Sequence, residues 1–244
     1  MQVGDAVLGG CAVEGYNRAA GTVQELQLRS IESVPGLQQP VAAALPPGIR
    51  PSQLRRLGIF GSNLPLQSVV DCPFLAHLTS LELVSCSSTS YSGSAAPVIQ
   101  ALLEQAPGLL SLTLMRCSTH HLRLQGLQPL PPALINLAGL QHLSLADNGL
   151  TELPPGPYLS GLESLDLSCN NLDRLPPALT AASSLTSLSL ARSNRLVLND
   201  ADIDDVLSHL THLRRLHLDV GRMPLHVLGQ LSQRMPQLHI SEVA

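Results

Sequence analysis

Four aspartates within six residues, Asp200, Asp202, Asp204 and Asp205, put hard oxygen ligands at alternate positions, the opening pattern of a calcium loop. The register then fails. The sixth position is Asp205 where the loop needs glycine, and the twelfth is Thr211 where it needs a bidentate glutamate. Acidic residues at a helix start have a simpler use, since they stabilise the positive end of the helix dipole. Of the nine histidines, the closest sets are His120-His121 and His209, His212, His217. Neither set has helical i, i+4 spacing or a CxxC partner, so both read as loop and surface residues rather than zinc ligands. No GxSxG elbow places a serine beside a base, and Ser168-Cys169-Asn170 sits in a turn that recurs along the chain. Gly9-Gly10 and Gly156 lack the GxxxxGK[ST] phosphate loop. These residues predict no catalytic site, no metal and no cofactor, hence a protein that is not an enzyme.

Composition narrows the classes further. The chain has 244 residues, 44% hydrophobic but only 2% aromatic, and 13% charged, about half the usual charged share. Leucine supplies 51 residues, tryptophan none, and all 14 basic residues are arginine. Disorder requires low hydrophobicity and high net charge, whereas the net charge is -4 and mean hydropathy +0.20. Nucleic-acid binding would call for a basic excess or stacking aromatics, and neither is present. Without lysine, chemistry built on an amine side chain is excluded. No apolar stretch reaches the 18 residues of a membrane span. The start, Met1-Gln2-Val3-Gly4-Asp5, has no basic n-region or long apolar h-region of a secretory signal. Five cysteines, Cys11, Cys72, Cys86, Cys117 and Cys169, form an odd, sparse set that fits reduced thiols. A cytoplasmic protein is expected.

The elements that position these residues come from a repeat. Leu140-Gln-His-Leu143-Ser-Leu145-Ala-Asp-Asn148-Gly-Leu150-Thr-Glu-Leu153-Pro154 is followed by Leu162-Glu-Ser-Leu165-Asp-Leu167-Ser-Cys-Asn170-Asn-Leu172-Asp-Arg-Leu175-Pro176. The same core recurs at Leu54-Leu57-Ile59, Leu78-Leu81-Leu83, Leu109-Leu112-Leu114, Leu185-Leu188-Leu190 and Leu213-Leu216-Leu218, with weaker ends at Val23-Leu26-Leu28 and Met235-Leu238-Ile240. Alternation with period two makes Leu143 and Leu145 core residues of a strand and turns Ser144 outward. A buried Asn148 or Asn170 can bond the backbone groups that the following turn leaves unpaired.

These units resemble leucine-rich repeats, with Asn148 and Asn170 in the asparagine position and Cys86 and Cys117 in its cysteine variant. The resemblance covers about nine tenths of the chain. It implies an α/β solenoid, a curved horseshoe with a parallel concave sheet and a helical or extended convex side. Residues 23–244 form the repeat domain of about nine units, and residues 1–22 a cap or linker. Ser241-Glu242-Val243-Ala244 either shields the far end, or the chain is part of something larger. Long cysteine-bearing units resemble those of F-box and related intracellular proteins, and the segment from Leu130 to Leu140 resembles plant-type intracellular repeats.

Spacing between unit starts runs 31, 24, 31, 31, 22, 23, 28 and 22 residues. Short units leave room for extended or single-turn returns, and long ones for a helix. Helices are expected from Ser94 or Ala96 to Ala106 with Pro97 near the first position, from Asp200 to Leu210, and from Pro224 to Gln233.

Stacked strands about 4.8 Å apart align their outward residues in rows. Those rows predict a protein-binding surface of Arg56, Phe60, Glu82, Met115, Arg116, His142, Asp166, Arg192, Arg215, His217, Asp219 and His239. The middle is small and polar, so Arg56, Phe60, Met115 and Arg116 are the expected anchors, and His217 and His239 are expected to stack as neighbours. The function the resemblance implies is a non-enzymatic scaffold that binds a partner protein on the concave face. Substrate recognition in an F-box-type ubiquitin ligase and a structural place in a cytoskeletal or ciliary axoneme assembly are the alternatives. No nucleic-acid partner is expected.

Overall fold

Leucine at every second strand position can be buried only if the strands stack in register, and the described parallel strands do this within each unit. The computed structural model describes residues 6–8, 11–13, 18–19, 22–30, 50–61, 66, 69–70, 72–86, 96–117, 127 and 129–242. Gly9-Gly10, Ser94 and His120-His121 lie outside the described residues. The chain divides into two compact units, residues 1–134 and 135–244.

In the first unit, β1 (Ala6–Leu8) pairs antiparallel with β2 (Cys11–Val13), and β2 pairs antiparallel with β5 (Glu25–Ser30). A separate two-stranded ribbon joins β3 (Arg18–Ala19) to β4 (Thr22–Val23). From β5 onward the strands are parallel: β6 (Arg56–Phe60), β7 (Ser80–Val84) and β8 (Ser111–Met115) follow side by side. Leu26, Leu57, Leu81 and Leu112 stand in one file and Leu28, Ile59, Leu83 and Leu114 in the next, all buried. Each such side chain contributes about 1.5–3 kcal/mol when removed from water.

The second unit repeats the plan with shorter strands, β9 (His142–Ser144), β10 (Ser164–Asp166), β11 (Ser187–Ser189), β12 (Arg215–His217) and β13 (His239–Ser241), all parallel. Leu143, Leu165, Leu188 and Leu216 form the core file, and the half-buried Ile240 continues it on the last strand.

The returns follow the spacing. Helix α1 (Ala96–Glu104) buries Ile99, Leu102 and Leu103, and Pro97 lies in its first turn, where a missing N–H is harmless. A single helical turn, α2 (Pro132–Ile135), precedes β9, and the short units return through 3-10 turns at Pro157–Leu159 and Pro177–Ala181. Helix α3 (Asp200–Asp205) is shorter than the stretch to Leu210 expected from sequence. Val206 leaves helical geometry and a 3-10 turn, Leu207–His209, follows, which lets Val206, Leu207 and Leu210 all reach the core. Helix α4 (Leu225–Arg234) takes its N-cap from Pro224.

The last strand departs from the sequence alignment. Leu216 pairs with Ile240 and Arg215 with His239, two residues out of step with an alignment that starts the unit at Met235. The reason lies in α4: Met235 is its C-cap, its N–H bonds the Leu231 carbonyl, and its side chain is buried. Met235 closes the helix instead of opening the strand. His217 therefore stands beside Ser241, and His239 beside Arg215. The expected stacking of the two histidines does not occur in that rung.

Candidate protein-binding face

The strands β6 to β11 end in a shared backbone device. Ser85, Arg116, Asp147, Cys169 and Arg192 have φ between 53° and 57°, and Gly61 has φ 105°. All six immediately precede the asparagine position of their repeat. At the five non-glycine positions this left-handed residue swings the chain off the open face and aims the next side chain, buried in each case, into the core. Non-glycine residues adopt that conformation at a cost of about 1–2 kcal/mol, so the next side chain must hold them there.

Asn170 shows how. Its Nδ2 donates to the carbonyls of Leu145 (2.9 Å) and Leu167 (2.9 Å), and its Oδ1 accepts from the N–H groups of Leu150 (2.9 Å) and Asn148 (3.2 Å). The side chain thus ties its own turn to the turn before. Cysteine ties consecutive turns in the first unit: Cys86 Sγ donates to the Ile59 carbonyl (3.4 Å) and Cys117 Sγ to that of Leu83 (3.4 Å), and the Cys86 backbone bonds the Cys117 sulfur. Burial pushes the Cys117 thiol up to about 12. Burial, and then the neighbouring Cys117, raise Cys86 as well. Both stay protonated at neutral pH and serve as donors, not nucleophiles. In the β11 repeat the position is Ser193, whose buried Oγ has no hydrogen-bond partner; a serine is too short to bridge two turns.

On the first unit's open face, Arg56 aligns with Glu25, Ser80 and Ser111, while Glu82 stands between Gly58 and Thr113. Phe60, Val84 and Met115 form a half-buried apolar row. The Phe60 ring lies across Gly58: a Cβ there would fall 2.7 Å from Phe60 Cε2. Glycine is needed for that close approach. Arg116 is exposed but belongs to the left-handed turn, so it stands beyond the row of Phe60 and Met115 and not within it.

On the second unit's open face, His142, Ser164, Ser187, Arg215 and His239 make one row, and Ser144, Asp166, Ser189, His217 and Ser241 the next. Asp166 accepts from the Ser168 N–H (2.9 Å) and from Ser144 Oγ (3.3 Å). His217 Nδ1 lies 2.6 Å from Ser241 Oγ. Arg192, again a left-handed residue, donates its N–H to Asp219 Oδ1 (2.9 Å). Asp219 therefore works partly as a turn clamp. Sequence reasoning missed this double duty of Arg116, Arg192 and Asp219; for the two arginines the signal was their fixed place just before the asparagine position, the column that Gly61 also occupies, whereas Asp219 stands one residue earlier in its repeat.

The clusters first considered for chemistry have structural explanations. Asp202 and Asn199 form a reciprocal capping box on α3: Asn199 Oδ1 accepts from the Asp202 N–H (3.1 Å), and Asp202 Oδ2 accepts from the Asn199 N–H (2.9 Å). His212 Nδ1 bonds the Ser183 carbonyl at 2.9 Å and His209 Nδ1 lies against Ser208. Among the described residues no three His, Cys, Asp or Glu side chains converge on a point that could hold a metal. No helix among them is long and apolar enough to cross a membrane.

A family model described as leucine rich repeat matches residues 138–196. No curated protein matches the sequence. Among solved structures, a chain of the Toll–Spatzle complex, described as a molecular hub in Drosophila development and innate immunity, is similar at 14% identity and a TM-score of 0.49. The similarity covers 88% of this chain and 34% of that one, so the chain spans about a third of its length. Residues 138–196 thus match the leucine-rich-repeat model, and the files of buried leucine and the cysteine turns carry the same plan into the described repeats outside that segment.

Proposed function

We propose that the chain is a non-enzymatic binding module whose partner protein docks on the outward residues of its parallel strands. The carrying observation is the register. Every repeat strand from β5 to β12 presents alternate residues outward while leucine or isoleucine fills the core, so chemically mixed side chains stand in ordered rows. Such rows offer what protein recognition needs: a rigid backbone, exposed arginines at Arg56, Arg192 and Arg215, and an apolar row at Phe60, Val84 and Met115. Fold alone assigns no partner. The four described cysteines are free thiols, which suits a reducing compartment and supports placing the protein in the cytoplasm.

Proximity labelling in the native cell, with wild type against Arg56→Glu plus Arg116→Glu, tests the reading. Loss of a defined set of neighbours in the variant is expected. Unchanged labelling would remove these arginines from the interface.

A further inference from the structure

In the second unit β11 is the strand whose two outward residues, Ser187 and Ser189, are both small, and buried Ala191 follows. The adjoining strands carry larger groups at the same level, Asp166 on β10 and His217 on β12. The result is a trough of about 430 Å³ over β10 and β11, with those serines and Ala191 in its floor, Asp166 and His217 as its walls and Arg192 at the end where β11 turns away. At a strand spacing of about 4.8 Å, the walls stand roughly 10 Å apart, the width of one extended chain lying flat.

Both walls are tied away from the floor. Asp166 is held by Ser168 and by Ser144 on β9, and His217 by Ser241 on β13. Neither side chain has to move for the trough to be filled. The walls also differ in charge. One is a carboxylate. The other, on β12, has the His217 imidazole at the level of Ser189 and the exposed Arg215 guanidinium beside Ser187.

On the reading that the open face docks a protein, we propose that this trough holds one extended peptide segment with a basic and an acidic residue at consecutive positions. In an extended chain successive side chains point to opposite sides. Laid along β11, a segment therefore sends neighbouring residues to opposite walls, its base to Asp166 and its acid to Arg215 and His217. Residues two apart reach the same wall and would leave one of the charges facing its like. The serine hydroxyls of the floor can meet the backbone of the segment, where bulkier residues would hold it off.

The test uses the full chain and two fluorescein-labelled dodecapeptides of identical composition in a Gly/Ser background. One has Lys and Glu adjacent, the other two residues apart. Fluorescence polarisation is expected to show at least 10-fold tighter binding of the adjacent pair, and Asp166→Asn and Arg215→Gln are each expected to abolish that preference. Thermal melting by circular dichroism confirms that both variants fold. Equal affinity for the two peptides, or a preference that survives both substitutions, overturns the proposal. A third variant, Ser187→Arg, separates this proposal from the docking reading beneath it. If wild type binds neither peptide while Ser187→Arg still strips cellular partners from the chain, the peptide pattern is wrong and docking stands. If Ser187→Arg also leaves every partner bound, docking on this face falls with it.

Discussion

Asn170 binds two consecutive turns with one side chain, through two amide donors and a carbonyl acceptor shared by Asn148 and Leu150. It is 3% exposed, so water cannot replace what a smaller residue would lose. Leaving such groups buried and unpaired costs about 1–3 kcal/mol each, and the losses are not additive. Asn170→Ala is expected to destabilise the fold by about 3 kcal/mol, measured by urea unfolding. A change below about 1 kcal/mol would mean that the turn holds itself. The role of this asparagine was legible in sequence because a polar residue recurred amid leucines. The left-handed residue before it was not. Ser85, Arg116, Asp147, Cys169 and Arg192 share no chemistry, and a backbone conformation enforced by the next side chain leaves no mark on residue type. Sequence therefore read Arg116 and Arg192 as ordinary face residues.

Among the elements, strands were the easiest to read, since a two-residue period with leucine inside admits one register over most of the chain. The exception is β13, where sequence aligns Leu238 with Leu216 and the structure pairs Ile240 with it instead. Packing chose between them, because Met235 was already spent on closing α4. Helix α3 shows the opposite case, a helix whose start is fixed by specific bonds. Its capping box also reaches inward, since Asp202 Oδ1 accepts from the Leu175 N–H of the preceding return (3.4 Å). Removing a cap of this kind costs about 1 kcal/mol. Asn199→Ala is expected to lower stability by about that amount in thermal or denaturant unfolding, whereas Asn199→Asp, which keeps the acceptor, should retain most of it. Equal losses for the two would place the cap's contribution elsewhere.

For the molecule as a whole, the repeat was plain from sequence and the place where a partner would sit was not. Sequence set the expected anchors at Arg56, Phe60, Met115 and Arg116 because the middle strands carry small residues. Structure gives that smallness another meaning. Ser187 and Ser189 open a trough only because Asp166 and His217 stand on either side and lean away from it, a relation between neighbouring strands that no single repeat displays. The central claim is that partners meet the outward strand residues and not the returns. Site-specific photo-crosslinking in cells tests it most directly, with a benzophenone amino acid at Thr113 or Ser189 on the open faces and at Leu225, 85% exposed on α4, as the return-side control. Partner adducts are expected from at least one of the two open-face positions and not from Leu225. Adducts from Leu225 with none from Thr113 or Ser189 would contradict the claim.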